Sequence, residues 1–550
     1  MSKLRFIALS GTTNVTQNCY LYEYGGETMM VDCGVGFPEE EMYGVDLTIP
    51  DFSYVVENKH KLKGIVISHG HEDHLGALPF LFEKVRVPIY ATKLAAGFIE
   101  DKFIDYQLPL PKINIFDPEK DVISVGSFKI SPFRVSHSIP DSVGFCIETP
   151  LGKVFHVSDY KFDWTPIDGR PFAVSKASLL ASSGVLALAS DSLGATTPGY
   201  TESEADIEVT IENIIRKADG GLFFSTISSN ISRVKQALNV AQRLGKKVCF
   251  VGMSIARKVA IAKHLGYITY PADLVVPLGK AGHYPKNKLM YIISGSYGQT
   301  GSALYRLALA EHEQLAIQKS DVVIFSADPA PPGSKANVDF VVDKLFELGA
   351  EVHYYDIQEN LHVSGHGSQK DIEMLMALVK PKYYFPIGGT IRHMKAYGEI
   401  ARRMGDRQGN VFELKAGESV EFEEGLAKKG EVVPTKEVLV DGLSIGNVGN
   451  VILRDRHILA REGVVIVLLQ IDSGNGRLVS TPEIISRGFV YQGKNGQFLD
   501  KAAKGLKQSL DQVKRLDFHI TRDKTVDFLE KYFFEQMKRR PMILPVIVKV

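Results

Sequence analysis

Short apolar stretches separated by turns fill the chain from Lys3 to about Ser190, and they predict β-strands. Ile65, Val66 and Ile67 form an uninterrupted β-branched run, which indicates a strand that is buried on both faces. The stretches with this pattern read YLYEYGGETMMVDCG, GIVISHG, FKISPFRVSHS, GKVFHVSDY and SGVLALASDS. Together they predict a first domain that is built on β-sheets.

Helical periodicity begins near Thr201, where the segment TESEADIEVTIENIIRKA predicts a helix. Thr201 and Glu204 have the spacing of a capping box at the start of that helix. From there to about residue 360, predicted helices alternate with the apolar stretches GLFFST, KKVCFVG, DVVIFSA and EVHYYD. This alternation is typical of an α/β domain with a parallel sheet.

The stretch KYYFPIGGT, from Lys382 to Thr390, resumes the first pattern, and the polar connector EEGLAKKGEVVPTKEV follows it. The C-terminal region combines the strands GVVIVLLQID and MILPVIVKV with a helix. That helix carries Leu499, Ala503, Leu506, Leu510 and Val513 at helical spacing. We predict a first domain over residues 1–195, an inserted α/β domain over 196–364, a return to the first domain over 365–430, and a linker with a C-terminal domain over 431–550.

The composition is typical of a globular protein with more than one domain, since 550 residues exceed what a single core organises. The 64 Lys and Arg residues balance the 64 Asp and Glu residues, so nucleic-acid affinity would need a local basic groove. The four cysteines have no paired spacing, which argues against disulfides and thiolate zinc sites and favours a reducing cytoplasm. We find no signal peptide and no apolar run of roughly 18 residues that would predict a membrane span.

The segment GIVISHGHEDHLGALPFLF, from Gly64 to Phe82, places three histidines and two acids directly after a predicted strand. Loops at the carboxyl ends of strands often carry the chemistry of a protein, because a rigid sheet directs their side chains. Other polar residues also follow predicted strands, namely Asp32, His137, Asp159 and Asp191. We therefore expect side chains from separate strand ends to converge on one site.

His69, His71, Asp73 and His74 have a spacing that is typical of metal ligands. Imidazole nitrogens and carboxylates suit Zn²⁺ and Mn²⁺, and two such ions about 3.5–4 Å apart can stabilise both the attacking and the leaving oxygens of a phosphodiester. The alternative is a polar loop whose histidines only form hydrogen bonds, but the density of ligands makes this the weaker interpretation. His156 lies inside a strand pattern, which favours a buried, hydrogen-bonded histidine instead.

The motifs SHGHEDH, HSIPD and SDYKFD resemble the metallo-β-lactamase fold. The segments DSLGATTPGYTESE, STISSNISRVKQAL and HVSGHGSQKD resemble the β-CASP insertion of nucleic-acid-processing hydrolases. The C-terminal segments VDGLSIGNVG, ILRDRHILAREGVVIV, IISRGFVYQG and RRPMILPVIV resemble the bacterial ribonuclease J family, and the likeness runs nearly end to end. It implies the α/β fold class, with an αββα metallo-β-lactamase sandwich, an inserted β-CASP α/β domain and a small α+β C-terminal domain.

The resemblance implies two divalent metal ions, with zinc as the first choice and manganese or magnesium as alternatives. One ion would bind His69, His71 and His137, the second would bind Asp73 and His74, and Asp159 would bridge the two. Asp32 would orient the ligands from behind through a hydrogen bond to an imidazole.

The resemblance also implies RNA contacts for the HVSGH segment, which consists of His362, Val363, Ser364, Gly365 and His366. His366 would assist the leaving oxygen as a general acid, with Asp191 positioning it and Asp73 completing the catalytic set. Further donors to the phosphates would be Ser228, Ser229, Asn230 and Ser254.

The sequence departs from the family pattern in the segments SGTTNVTQN and SGSYGQTGSA and at two single positions. Gly388 stands where the family carries a further ligand histidine, so the second metal ion would lose an imidazole. Water, substrate or His393 could fill that place, although a residue five positions away is a poor geometric substitute. Met253 stands beside Ser254 where an arginine is common, and Arg257 is a candidate to replace that arginine in recognition of a 5′-phosphate.

Asp46 and Asp441 lie in segments that are similar to the family and could hold a structural cation such as Ca²⁺, which prefers oxygen ligands. The interpretation that we favour is that both acids belong to turns and caps.

We predict a cytoplasmic, metal-dependent ribonuclease that degrades single-stranded RNA from the 5′ to the 3′ end, with internal cleavage as a further activity. One alternative is a weakly active or inactive RNA-binding subunit that partners an active homologue, which Gly388 would support. A hydrolase of small esters is a third hypothesis, but such substrates need no inserted domain. The C-terminal domain is the expected oligomerisation module of a homodimer, a homotetramer or a hetero-oligomer with a paralogue, and no membrane contact is expected.

Overall fold

A computed structural model of the chain describes residues 3–39, 41–327, 334–358, 360–406, 409–442, 444–446, 449–490 and 492–550. The chain divides into two compact units. The first unit contains the residues up to Phe37 and those from Leu47 to Val438. The second unit contains Pro38–Asp46 and Leu439–Val550, so it includes a short N-terminal segment that the predicted boundaries assign to the first domain.

The first unit opens with a region that is rich in strands. Its strands are β1 (Leu4–Ser10), β2 (Cys19–Tyr24), β3 (Glu27–Val31), β4 (Leu47–Ile49), β5 (Leu62–Val66), β6 (Ile89–Ala91), β7 (Ile113–Ile115), β8 (Ile123–Val125), β9 (Phe128–Arg134), β10 (Val143–Thr149), β11 (Gly152–Val157) and β12 (Val185–Asp191). Its helices are α1 (Ser53–Glu57), α2 (Glu72–Leu75), α3 (Leu78–Phe82), α4 (Lys93–Asp105) and α5 (Val174–Ala181).

An inserted α/β region follows, as the alternating pattern predicts. Its elements are α6 (Glu204–Lys217), β13 (Leu222–Ser225), α7 (Ile231–Arg243), β14 (Lys247–Val251), α8 (Met253–His264), β15 (Leu289–Ile293), α9 (Ala303–Ala308), β16 (Val322–Phe325), α10 (Ser334–Glu347) and β17 (Glu351–His353). The five strands form one sheet in the order β14-β15-β13-β16-β17, and every neighbouring pair is parallel. The predicted parallel sheet is therefore confirmed.

The chain then returns to the first region and completes two packed sheets. The returning elements are α11 (Gln369–Val379), β18 (Pro381–Ile387), α12 (Ile391–Arg403), β19 (Ser419–Glu423) and β20 (Leu426–Lys429). One sheet has the order β20-β19-β1-β2-β3-β5-β6-β7 and the other β18-β12-β11-β10-β9-β8. The aromatic rings of Phe6 and Phe385, one from each sheet, stack at 5.0 Å in the core between them.

Helices cover the outer face of the six-stranded sheet, where α5, α11 and α12 contribute to a second apolar core. Helix α4 lies against β7 of the other sheet and packs on α3. The αββα sandwich is therefore confirmed, with the inserted region placed between β12 and α11.

Three local predictions are wrong. The capping box of α6 is formed by Ser203 and Asp206, because Thr201 instead donates its hydroxyl to the carbonyl of His366 at 2.8 Å. The apolar run LMYII, which the prediction missed, forms β15 in the middle of the parallel sheet. The polar connector contains β20, which extends the eight-stranded sheet beyond β19.

The second unit is a small α+β domain. Its elements are β21 (Val438–Asp441), β22 (Ser444–Ile445), α13 (Asn450–Glu462), β23 (Val464–Ile471), β24 (Glu483–Arg487), α14 (Gln492–Asp511), α15 (Phe518–Met537) and β25 (Met542–Lys549). Strand β23 pairs antiparallel with β24 and parallel with β25. The leucines that predict α14, among them Leu499, Leu506 and Leu510, are buried in the core of this unit together with α15.

None of the described helices combines the length and the apolar character that crossing a membrane requires. All four cysteines are buried free thiols.

Candidate metal centre

The polar residues that follow predicted strands meet at one edge of the sandwich. Asp32 follows β3, and the turn from Ser68 to His74 follows β5 of the same sheet. On the other sheet, Asp159 follows β11 and Asp191 ends β12. Because the two sheets pack face to face, the carboxyl ends of these strands present their side chains to a common point.

The first group of potential ligands contains His69, His71, His137 and Asp159. The Nδ1 atom of His71 lies 3.1 Å from Nε2 of His69 and 3.1 Å from Nε2 of His137. Oδ2 of Asp159 lies 3.6 Å from each of the latter two nitrogens. A tetrahedral zinc site with metal–ligand bonds of about 2.0–2.1 Å has ligand–ligand separations of roughly 3.3 Å, so this arrangement fits one divalent ion.

The second group contains Asp73, His74 and the same Asp159 oxygen. Nε2 of His74 lies 3.5 Å from Oδ2 of Asp73 and 3.3 Å from Oδ2 of Asp159. Nδ2 of Asn18 lies 3.0 Å from Nε2 of His74 on the other side. The Asp159 oxygen is thus shared by both groups, which is the position of a bridging ligand.

Asp32 is fully buried and orients His74 through Nδ1, the ring nitrogen that does not face Asp159. Its Oδ2 lies 2.8 Å from Nδ1 of His74 and also accepts hydrogen bonds from the hydroxyls of Ser68 and Ser158, at 2.8 and 3.0 Å. With Nδ1–H donating to the carboxylate, Nε2 is the ring nitrogen that faces Asp73 and Asp159 and would bind a metal. The backbone of Asp32 has a φ of 60°, a conformation that persists only where surrounding contacts enforce it.

The other ligand histidines are oriented in the same manner. Ser68 Oγ lies 3.0 Å from Nδ1 of His69, and Ser138 Oγ lies 3.3 Å from Nε2 of His71. His137 donates from Nδ1 to the carbonyl of Gly365 at 2.7 Å. Residue 365 must be glycine, because a Cβ atom there would lie 2.6 Å from the ring of His137.

The electrostatics of the cluster favour a cation. Burial lowers the pKa values of His69 and His137 well below the usual value and that of His71 to about 4, so these imidazoles are neutral and ready to ligate. At His74, burial also lowers the pKa, but the carboxylates of Asp159, Asp73 and Asp32 outweigh burial and raise the pKa well above its usual value. The same negative field attracts a divalent metal ion, which would compete with the proton.

His366 and Asp191 form a pair beside the shared carboxylate. Nδ1 of His366 lies 2.6 Å from Oδ2 of Asp191, and Nε2 lies 3.8 Å from Oδ2 of Asp159. Burial opposes the protonated form, but Asp191 and Asp159 together raise the pKa of His366 to about 9. The raised pKa favours the protonated ring, whose Nε2 faces the shared carboxylate.

The residues that were predicted to contact RNA phosphates, apart from Ser254, lie on two neighbouring segments. Asn230 is the N-cap of α7, where its Oδ1 accepts from the backbone of Arg233 at 2.9 Å. Arg233 in turn donates to the carbonyl of Leu361 at 3.1 Å, directly before the HVSGH segment. The turn that carries Ser228, Ser229 and Asn230 and the segment from His362 to His366 are thereby held close together.

Ser254 is exposed on the first turn of α8, and no contact of the described residues links it to the metal ligands. Met253, beside it, is 84% exposed. Arg257, the candidate to replace the missing arginine, pairs its guanidinium with Asp105 and Asp101 of α4.

Gly388, which stands where the family carries a histidine, follows β18 at the same edge of the sandwich. Its φ is 65°, and a Cβ atom there would lie 3.5 Å from Oδ1 of Asp191, so the position faces the site. His393 does not fill the place of the missing ligand. Its Nδ1 lies 3.2 Å from the backbone nitrogen of Thr390, where it caps α12, and within the described part of the chain it belongs to no group of potential ligands.

Two other predictions concern acids and histidines away from this cluster. Asp46 accepts from the backbone of Gly442 at 2.7 Å, and Asp441 pairs with Arg456 at 2.5 Å. Neither acid belongs to a group of potential metal ligands in the described ranges, which supports the turn interpretation over a structural cation. His156 is fully buried and lies 2.9 Å from the hydroxyl of Tyr22, as its position in a strand predicts.

Sequence reasoning missed the polar residues that support the ligands, chiefly Asn18, Ser68, Ser138 and Ser158. The sequence signal for two of them is a serine directly before a ligand, in SHGHEDH and in SDYKFD. It also missed the partners of Glu72. This residue lies between two potential ligands in the sequence, but its carboxylate pairs with Nζ of Lys102 at 2.5 Å and with Nζ of Lys258 at 3.1 Å. That ion cluster connects the ligand turn to α4 and α8.

The chain is similar along its whole length to known proteins. It is 35% identical to ribonuclease J2 of Bacillus subtilis, over 100% of this chain and 99% of that protein. The chain belongs to the ribonuclease J family. It is also 34% identical to ribonuclease J 2 of Staphylococcus saprophyticus, over 100% of this chain and 98% of that protein.

Family models match the chain in four segments. Residues 12–201 match the metallo-beta-lactamase superfamily, and residues 219–345 match the beta-CASP domain of ribonuclease J. Residues 350–412 match the RNA specificity domain of Zn-dependent metallo-hydrolases, and residues 451–550 match the ribonuclease J C-terminal domain. Together with the ligand geometry, these matches support a metal-dependent ribonuclease with a divalent metal site.

A solved structure shares the fold. The crystal structure of a protein of unknown function from Enterococcus faecalis V583 aligns with a TM-score of 0.53 and 13% sequence identity, over 76% of this chain and 100% of that one. At this identity the likeness concerns the fold alone.

We predict that Asp32→Asn weakens metal binding by about 10- to 100-fold, because an amide no longer fixes the tautomer of His74. The affinity is measured by titrating the metal-free protein with Zn²⁺ against a competing chelator. Asp46→Asn, in the other unit, is the control and should bind the metal as the unchanged protein does. Unaltered affinity in a folded Asp32→Asn protein would contradict the role of Asp32.

Proposed function

We propose that this ribonuclease J relative hydrolyses single-stranded RNA at a dimetal centre, releasing nucleotides from the 5′ end and also cutting internally. The observation that carries the proposal is the shared position of one Asp159 oxygen, 3.3 Å from His74 and 3.6 Å from both His69 and His137. A single carboxylate oxygen within reach of two ligand groups is the arrangement that a pair of divalent ions requires.

The proposed ligands are His69, His71 and His137 for one ion and Asp73 and His74 for the other. Asp32, Asp73 and Asp159 supply negative charge that would offset most of the charge of two divalent cations, while Asp191 is paired with His366. We propose zinc, because most donors are imidazoles with tetrahedral spacing, and manganese is the alternative. When bound, such ions lower the pKa of a water molecule and neutralise the charge of a phosphodiester.

Side chains of the protein would carry out the proton transfer and the positioning that the reaction also needs. His366 presents its protonated Nε2 toward the ligand cluster and gives that proton to the leaving 3′ oxygen. Asp191 fixes the ring through Nδ1 and stabilises the cationic form of the imidazole. Asp73 and Asp159 would hold the metal ions, and their carboxylates would also orient the attacking water relative to the phosphorus.

RNA would be held by the two segments that meet at Arg233 and Leu361. Ser364 and the backbone of the HVSGH segment contact the phosphate that is cleaved, and Ser228, Ser229 and Asn230 contact its neighbours. We place Ser254 at the 5′ end of the RNA, where Met253 and the paired Arg257 leave few cationic contacts. Four free thiols fit a reducing cytoplasm as the location.

An inactive RNA-binding subunit is the competing function, and Gly388 is the observation in its favour. Three observations weigh against it. The first ligand group is complete, His366 and Asp191 are paired at 2.6 Å, and each ligand histidine has a hydrogen-bond partner behind it. Selection for RNA binding alone gives no reason to keep these contacts.

We predict that the purified protein degrades 5′-monophosphorylated single-stranded RNA when Zn²⁺ or Mn²⁺ is present and that EDTA stops the reaction. His366→Ala should lower the cleavage rate by about 10²- to 10⁴-fold while the bound metal, measured by mass spectrometry, stays constant. His264→Ala, which changes an exposed histidine of α8, is the matched control. RNA that remains intact with every metal tested, in a folded protein, would refute the proposed function.

We also predict that Gly388→His increases metal affinity at the second ligand group. The position faces Asp191, and an added Cβ there meets only ordinary van der Waals contact. The left-handed φ costs the new residue about 1–2 kcal/mol, which a new metal–imidazole bond exceeds. Isothermal titration with Zn²⁺ measures the change. Gly405→His, at another left-handed glycine with open surroundings, controls for backbone strain, and equal affinity in both variants would contradict the assignment.

We propose that the second unit forms the contact between copies of the chain. One face of its sheet packs on α14 and α15, while the other carries exposed apolar side chains. On β25, Leu544, Val546 and Val548 are 42–45% exposed, and they lie beside Ile466 and Leu468 of β23. An apolar sheet face of this kind is typical of an interaction surface.

We predict that the double substitution Leu544→Lys and Val546→Lys lowers the oligomeric mass in solution, because two charges would be buried in the interface. Light scattering after size-exclusion chromatography measures the mass. Val479→Lys, at another exposed valine of the same unit, should leave it unchanged. A monomeric unchanged protein, or an unaltered mass in the double variant, would contradict the proposal.

A further inference from the structure

Four charged side chains are almost completely buried where the metal-ligand loops meet the inserted region. They are Lys161, Asp163, Glu204 and Arg233, here called the charge quartet, and each is at most 2% exposed. Two are cationic and two are anionic, so their formal charges cancel. A buried charge is costly unless it is paired, and an apolar set of similar volume is often at least as stable. The quartet therefore needs an explanation other than stability.

The members of the quartet contact one another in sequence. Nη2 of Arg233 lies 2.7 Å from Oε2 of Glu204, and Nζ of Lys161 lies 3.6 Å from the other Glu204 oxygen. Nζ of Lys161 also lies 3.7 Å from Oδ2 of Asp163, which accepts from the backbone nitrogen of Glu204 at 2.9 Å. The quartet is thus one continuous network.

One end of the network is attached to the metal-ligand loops. Lys161 comes two residues after Asp159, the shared carboxylate. Its backbone nitrogen donates to the carbonyl of Ser136 at 2.9 Å, directly before His137. Movement at Lys161 would therefore displace two loops that carry ligands.

The other end is attached to the predicted RNA-binding segments. Nη1 of Arg233 donates to the carbonyl of Leu361 at 3.1 Å and to the hydroxyl of Ser326, which itself donates to the same carbonyl at 2.6 Å. Leu361 directly precedes the HVSGH segment. The backbone nitrogen of Arg233 also binds the side chain of Asn230, so one arginine contacts both segments.

We infer that Arg233 is a positioning residue for RNA cleavage: through the charge quartet it fixes the RNA-binding segments at a set distance from the metal ligands. The inference rests on the proposed function, in which those segments hold the phosphates of the RNA. The ion pairs fix the orientation of these segments as well as holding them in contact, because the planar guanidinium group binds its acceptors in a fixed geometry. Apolar side chains would fill the same volume without fixing the segments in this way.

The test compares two substrates of the full-length, metal-loaded protein. The first is a 5′-monophosphorylated single-stranded RNA, and the second is bis(p-nitrophenyl) phosphate, which is small enough to need only the metal centre. Arg233→Met should lower kcat/KM for RNA by about 100-fold, the typical effect of a reacting group misplaced by about 1 Å. Hydrolysis of the small diester and the bound metal should remain unchanged.

Two milder variants distinguish the positioning role of Arg233 from a general loss of folding. Arg233→Lys keeps the charge beside Glu204 but not the fork, and Ser326→Ala removes only one donor to Leu361. Both should fold and show the same selective loss on RNA, in smaller degree. Arg243→Met, on the exposed end of the same helix, is the control and should act on both substrates as the unchanged protein does.

The outcomes separate the inference from the proposed function. Equal losses on both substrates in folded, metal-loaded variants, or full RNA activity in Arg233→Met, would overturn the inference. An unchanged protein that hydrolyses the small diester but leaves RNA intact would instead refute the proposed function. Selective loss on RNA, with melting temperature and metal content of Ser326→Ala preserved, would support the positioning role.

Discussion

The buried carboxylate of Asp159 is the interaction on which the rest of the site depends. One of its oxygens lies within 3.8 Å of four imidazoles, those of His69, His74, His137 and His366. Such a carboxylate is stable only among cations or protonated groups, since burial alone would neutralise it. The loops that follow β5, β9 and β11 must therefore end at one point, and the two packed sheets provide the rigidity that this convergence requires.

The same requirement explains the strained and polar features around the site. Asp32 adopts a left-handed backbone conformation and is fully buried, which would destabilise an isolated loop. Hydrogen bonds from Ser68, Ser158 and His74 offset that cost and fix the imidazole that faces Asp159. Local strain and polar burial are thus concentrated where the ligand geometry must be fixed, and the surrounding sandwich core stabilises them.

The sequence predicts the site to the extent that its signals are local. The spacing of His69, His71, Asp73 and His74 in one turn predicts a cluster of potential ligands, and the strand ends predict that Asp159 joins it. The partners of these residues come from distant segments, as with Gly365 behind His137, and no spacing rule indicates them.

Local signals also left two tertiary contacts unseen. The predicted capping box of Thr201 and Glu204 does not form, because Thr201 donates its hydroxyl to the carbonyl of His366 and α6 is capped by Ser203 instead. Arg257 has the helical position to reach a phosphate, yet the carboxylates of α4 pair with it. In both cases the partner comes from a segment that is distant in the sequence, so a local rule could not indicate it.

The family's ligand histidine is missing at Gly388, whereas the first group of potential ligands is complete. The first group of potential ligands has four members, whereas the second has three, and Gly388 lies beside Asp191 where the family carries a histidine. A metal ion at the second group would have fewer protein donors, and an oxygen of water or of an RNA phosphate would fill its open position. If the phosphate filled it, the position of the RNA would affect the metal centre directly. A rigid connection between the proposed RNA-binding segments and the loops of the potential ligands would then matter more in this chain than in one that carries the histidine.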